Sequence, residues 1–207
     1  VALARGWRWS ISRTNDYVKT EDELVAKVRA VREAVGDEVK LMIDTNTELS
    51  LVEAIRLAKR LEPYDLTWFE EPVYMNDPRL LAQMKHYTSI PIAAGQHVGS
   101  KMAFRDLIVI GNVDILQPDV QNVGGFTEGI KVGHMAQAFN LRFATHGLPL
   151  INMHLVGGLS NGICVEWHYS TGESLEKIYR NNPQPKNGWL TLTDRPGLGL
   201  ILKETSL

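Results

Sequence analysis

The chain has 207 residues, of which 44% are hydrophobic and 22% charged, and its formal net charge is −2. That is enough apolar material for a substantial core, so disorder is excluded, and charges of both signs are interspersed, leaving no footprint for nucleic acid or an anionic membrane. No run approaches the roughly 18 apolar residues of a membrane helix, and the start lacks the basic-then-apolar layout of a signal peptide, so a small-molecule partner and a cytoplasmic location are expected.

In chain order, Val1-Ala2-Leu3-Ala4-Arg5 opens with neither an initiator methionine nor a capping signal and reads as a cut chain. A first strand is expected over Trp7 to Ser12. Thr20 with Glu23 fits a reciprocal capping box, and Leu24, Val28, Val31 and Val35 fall on one face of the helix that follows. Lys40 to Asp44 reads as a strand, and Ser50 with Glu53 opens a second capped helix. Further strands are expected over Leu66 to Glu70, Ile90 to Gly95, Val113 to Pro118, Arg142 to Thr145 and Ile163 to Trp167. Gly124-Gly125 lies between a strand and a helix and reads as a tight turn, with anion binding the weaker alternative. Cys164 sits within an apolar run and reads as a buried thiol.

Strands alternating with helices indicate an α/β fold with a parallel sheet. Asp44, Glu70, Gln96, Asp119, His146 and Glu166 each stand at or just after the C-terminal end of an expected strand, at successive spacings of 26, 26, 23, 27 and 20 residues. A doubly wound open sheet would concentrate function near one switch point. Polar residues at six successive ends instead favour a closed TIM-type (β/α) barrel, whose strand ends converge on one mouth. There is no Gly-x-Gly-x-x-Gly, P-loop or Cys-x-x-Cys.

Asp44, Glu70 and Gln96 form an oxygen-rich set suited to a hard cation such as Mg²⁺, with Mn²⁺ an alternative. Asp119 and His146 suit an oriented general base. Taken singly, each residue has an ordinary reading: Asp44 a helix cap, Glu70 or Glu71 a buried ion pair, His146 a satisfied core histidine. Ile43-Asp44-Thr45-Asn46, Trp68-Phe69-Glu70-Glu71-Pro72, Gln117-Pro118-Asp119, Thr145-His146-Gly147 and Glu166, in this order, resemble the mandelate racemase group of the enolase superfamily. Asp194-Arg195-Pro196-Gly197-Leu198-Gly199 resembles that family's closing segment.

The resemblance implies that Asp44 and Glu70 are metal ligands, that Asp119 and His146 form the base dyad, and that Glu166 hydrogen-bonds the substrate carboxylate or enolate. Asn46 is a substrate contact or a turn residue. It also implies a catalytic β/α barrel over residues 1–190, entered at about its second strand, and a closing segment over 191–207. A capping domain and the first barrel strand would lie outside this sequence.

Two departures bear on the reaction. The third metal position holds Gln96 where the family usually has Glu, so a ligand charge is lost; His97 beside it reads as a neighbouring support or a substrate contact. The family's Lys-x-Lys positions are taken by Ile11 and Arg13, and Arg13 binds a carboxylate or is a surface arginine, but is a poor base. Racemisation by two bases needs acceptors on both faces of the carbon, whereas elimination of water needs only His146. A sugar-acid dehydratase is therefore expected ahead of a hydroxy-acid racemase or epimerase, with a non-catalytic barrel relic as the third reading. A homo-oligomer is compatible with all three.

Overall fold

The computed structural model describes residues 8–12 and 20–204, with side chains described over 20–168 and 174–204. Arg13 therefore lies outside the described residues. The described residues form two compact units, one of 8–12, 20–95 and 104–115, the other of 96–103 and 116–204. The boundaries fall between Gly95 and Gln96 and inside α4 (Lys101–Val109) and β5 (Ile115–Leu116).

The N-terminal unit alternates β1 (Arg8–Ser12), α1 (Glu21–Val35), β2 (Lys40–Asp44), α2 (Leu51–Leu61), β3 (Leu66–Glu70), α3 (Pro78–Lys85) and β4 (Ile92–Ala94). Its strands pair in sequence order, all parallel. Leu41, Ile43, Phe69, Ile92, Ala93 and Ala94 are buried, as strands covered on both faces require. Both expected capping boxes form: Thr20 Oγ1 accepts the Glu23 amide at 3.2 Å while Glu23 accepts the Thr20 amide at 3.1 Å, and Ser50 with Glu53 repeats the exchange.

The buried face of α1 differs from the expected one. Leu24 and Val28 are buried, but the next place on that face belongs to Arg32, while Val31 and Val35 are only half-buried. The Arg32 guanidinium donates to the carbonyls of Gly36, Val39, Tyr64 and Asp65, so its burial is matched by four hydrogen bonds.

The C-terminal unit contains α5 (Val120–Val123), α6 (Gly125–Ala138), β6 (Arg142–Thr145), α7 (Pro149–Gly157), β7 (Gly162–Val165) and α8 (Tyr169–Ile178), with β6 and β7 parallel. Cys164 is buried and reduced. Gly124 and Gly125 both take positive φ, 100° and 81°, as the expected turn requires. Close approach of α7 and the turn after it to α6 depends on two further glycines: a Cβ at Gly129 would lie 2.7 Å from Leu155 in α7, and one at Gly133 would lie 2.2 Å from Leu159 just beyond it. Leu150, Met153, Leu175 and Leu190 form a core against which Leu192 and Leu200 pack. Among the described residues, no helix is long and apolar enough to cross a membrane.

Candidate functional site

In the N-terminal unit, the register of β2 and β3 makes Asp44 and Glu70 direct partners at the C-terminal ends of adjacent parallel strands. Each carboxylate is held by a neighbouring N–H. Asp44 Oδ1 accepts the Asn46 amide at 2.8 Å, closing a turn in which Asn46 and Thr47 have φ of 48° and 60°. Glu70 Oε2 accepts the Trp68 indole N–H at 3.0 Å, a contact available because residues two apart share a strand face. The Asn46 backbone thus fits the turn reading of that residue, since asparagine tolerates the left-handed region.

Glu71 serves the scaffold. Its fully buried carboxylate accepts from Asn76 Nδ2 at 2.6 Å and from the Gly95 amide at 3.1 Å, joining the segments that follow β3 and β4. Two oxygen-bearing side chains at one level suit a hard divalent cation, which accepts one or two carboxylates with waters completing its shell. Among the described residues, no group of three His, Cys, Asp or Glu side chains is placed to hold a metal ion, so no third acid joins the two carboxylates in one.

The C-terminal unit holds the other candidates. Gln96 is buried, its carbonyl accepts from Asn122 Nδ2 at 2.8 Å, and its amide nitrogen lies 3.3 Å from His97 Nε2. With His97 accepting, the carboxamide nitrogen points to that ring and its oxygen occupies the opposite branch. His97 is exposed and acts on the Gln96 side chain.

Asp119 and His146 meet as expected: Oδ2 lies 3.1 Å from Nδ1. Two backbone bonds fix the approach. The His146 amide donates to the Pro118 carbonyl at 3.3 Å, and Asp119 caps α5 by accepting the Gln121 amide on Oδ1 at 2.9 Å. Gly147 follows with φ 57°, and a Cβ there would stand 3.1 Å from Asp119 Oδ2. Burial pushes the Asp119 carboxyl upward, but hydrogen bonds from His146, the Gln121 amide and Asn152, with the His146 charge, hold it below the ordinary range. An ionised Asp119 only accepts, so Nδ1 carries the ring hydrogen and Nε2 keeps its lone pair.

That nitrogen faces Glu166. Nε2 lies 3.8 Å from Glu166 Oε2, which accepts the Gly147 amide at 2.9 Å, while Oε1 lies 2.9 Å from His168 Nε2. Burial raises the Glu166 carboxyl, yet His168, the Gly147 amide and the neighbouring imidazole charges bring it below the ordinary range. The resulting order is carboxylate, imidazole, carboxylate, imidazole. Sequence reading missed Asn152 and His168; the signals available were an asparagine inside an apolar helix and a histidine two residues after Glu166.

The chain is similar in sequence and in fold to known proteins. The family described as enolase C-terminal domain-like matches residues 7–206. Arabinonate dehydratase from Saccharolobus solfataricus is 31% identical over 191 residues, covering 90% of this chain and 51% of that protein. An enolase from Bradyrhizobium, solved with magnesium and mandelic acid, has a TM-score of 0.87 at 28% identity, covering 96% of this chain and 53% of its own. L-talarate dehydratase from Polaromonas sp. JS666, solved with magnesium and L-glucarate, has a TM-score of 0.85 at 29% identity, covering 99% and 55%. The chain spans about half the length of the relatives it matches. With its dyad, its paired strand-end carboxylates and a match over nearly its whole length, this chain belongs to the enolase C-terminal domain-like family, in the mandelate racemase and muconate lactonizing enzyme group.

Proposed function

We propose that the protein containing this chain removes the proton α to the carboxylate of a sugar acid and eliminates water from it. The observation that carries the reading is the Asp119–His146 pair, with Nδ1 tied to an ionised carboxylate at 3.1 Å and Nε2 left as the basic nitrogen. Asp44 and Glu70 are read as ligands of Mg²⁺, or of Mn²⁺; Gln96 takes the third ligand place on the strength of the sequence pattern alone. When bound, the cation supplies positive charge against the negative charge that develops on the deprotonated substrate. Asn46, His97 and Arg13 are assigned to the substrate on the same sequence grounds. The parallel β/α segments are read as part of a TIM-type (β/α) barrel over residues 1–190, with 191–207 its closing segment.

In this scheme His146 Nε2 takes the α-proton, and the imidazolium that forms is flanked by Asp119 and Glu166. Breaking the bond to the β-hydroxyl then releases hydroxide, which takes the same proton and leaves as water, so one imidazole serves both half-reactions. The sequence pattern assigns Glu166 to the substrate carboxylate or enolate; held ionised, it can only accept and is assigned to a substrate hydroxyl instead.

The test incubates the intact protein, supplied with Mg²⁺, with a panel of sugar acids in deuterated water. Metal-dependent formation of a 2-keto-3-deoxy acid supports the reading. Exchange of the α-proton without elimination replaces it with a racemase or epimerase; neither activity, with no Mg²⁺ bound, leaves a non-catalytic barrel.

A further inference from the structure

Asn152 is the fourth residue of α7, fully buried, in a helix otherwise lined by Leu150, Met153, Leu155 and Val156. Asparagine is a poor residue for a helix interior, and burying its amide costs free energy unless every polar atom is matched. Here the amide is matched by two separate loops. Nδ2 donates to the carbonyls of His146 and Gly147 at 2.8 and 2.9 Å, and Oδ1 accepts the Val120 amide at 3.3 Å. These backbone groups belong to the base itself, to the residue after it, and to the residue after its partner Asp119. The reach follows from helix geometry, because side chains tilt toward the helix N-terminus and so toward the loop that precedes it.

We propose that Asn152 is a positioning residue for the base: one carboxamide, bonded to both loops, sets the separation at which the Asp119 carboxylate meets His146 Nδ1. The inference rests on the reading of His146 as the base. Three features show that the contacts hold the loops in register. Leu148, directly after Gly147, takes φ of 28°, a conformation that costs an L-residue free energy, so the segment is not at its relaxed conformation. The α7 N-terminus has no side-chain cap of its own. The Val120 amide sits in the first turn of α5, where no helical carbonyl can reach it.

The test measures the base directly and then through the reaction. Nitrogen-15 NMR of the imidazoles in the intact protein, without substrate, reports the fraction of His146 carrying its hydrogen on Nδ1. In the Asn152→Ala protein that fraction should fall, and α-proton exchange of a turned-over sugar acid should drop about 10- to 100-fold, the range typical when a hydrogen-bond support is removed, with KM little changed. Asn152→Asp, of the same shape but lacking both donors, should show the same change and covers the case in which the alanine variant does not fold. Leu155→Ala provides the packing control: it opens a cavity on the same helix and lowers the melting temperature, but should leave the His146 tautomer and the exchange rate intact. Wild-type tautomer and exchange in Asn152→Ala, or an equal change in Leu155→Ala, would overturn the proposal. A wild-type protein that shows the Nδ1–H tautomer but exchanges no α-proton would instead remove the proposed function, leaving the clamp standing.

Discussion

The replacement Asp119→Asn separates orientation of the base from its presence. The side chain keeps its size, and asparagine caps a helix about as well as aspartate, so the bond from the Gln121 amide to Oδ1 survives and α5 should form unchanged. What changes is the contact to His146 Nδ1 at 3.1 Å. An amide can offer that nitrogen an N–H, which moves the ring hydrogen to Nε2 and removes the lone pair to which proton abstraction is assigned. The imidazolium also loses a neighbouring negative charge. A tautomer error of this kind lowers the rate roughly 10⁴-fold, about 5 kcal/mol of barrier, whereas misorientation alone costs about 10- to 100-fold. The assay is α-proton exchange in deuterated water, followed by NMR with Mg²⁺ present, beside thermal unfolding. Because the cap is retained and a buried pair is exchanged for a neutral one, stability should fall by only about 1–2 kcal/mol. Exchange within tenfold of the wild-type rate would refute the assignment of Asp119 as the group that fixes the tautomer.

The other expectations are shorter. Both Asp119 and Glu166 titrate below the ordinary carboxyl range, so the stability they contribute is complete above that range and is lost as pH falls through their folded values; Asp119→Asn and Glu166→Gln should each shrink the difference in urea midpoint between pH 7 and pH 3. Gly147→Ala should cost about 1–2 kcal/mol from the left-handed backbone, and should lower exchange further than stability explains, because its Cβ would press on the Oδ2 that holds His146; normal exchange would contradict this. Gln96→Glu should tighten Mg²⁺ in a calorimetric titration by restoring a ligand charge, and unchanged affinity would argue against Gln96 as a ligand.

Strand ends were legible because each apolar run stops at or just before a polar residue. β2, β3 and β6 begin and end where the sequence places them, while β4 and β5 are shorter than their apolar runs. Helix starts were legible because a capping box is a local pattern of three-residue reach. Arg32 was not, since its partners include Tyr64 and Asp65, more than 30 residues away, and periodicity alone favours valine on that face. Asn152 escaped for the same reason: its partners come from two loops, and within Leu150–Val156 it looks like an interruption of a core helix. Of the candidate site, the residue types at strand ends and the pairing of Asp119 with His146 could be read, but Asn152 and the amides that hold these side chains could not.

Those aiming contacts share a form. Asp119 gives Oδ1 to the Gln121 amide and Oδ2 to His146; Asp44 gives Oδ1 to the Asn46 amide; Glu70 gives Oε2 to the Trp68 indole; Glu166 takes the Gly147 amide and His168 on separate oxygens. A carboxylate has two oxygens on one rigid plane, so anchoring one through a nearby N–H directs the other without any long-range packing. Two of these anchors, the Asn46 and Gly147 amides, lie within two residues of a strand end, where the chain leaves the sheet and its N–H groups lack ladder partners, and a third, Gln121, lies in the first turn of α5, where no helical carbonyl reaches its amide. The polar groups released by ending a strand thus become the means of orienting the side chain that ends it. Asn152 applies the same economy in reverse, using one amide side chain to collect three backbone groups that two such endings leave over.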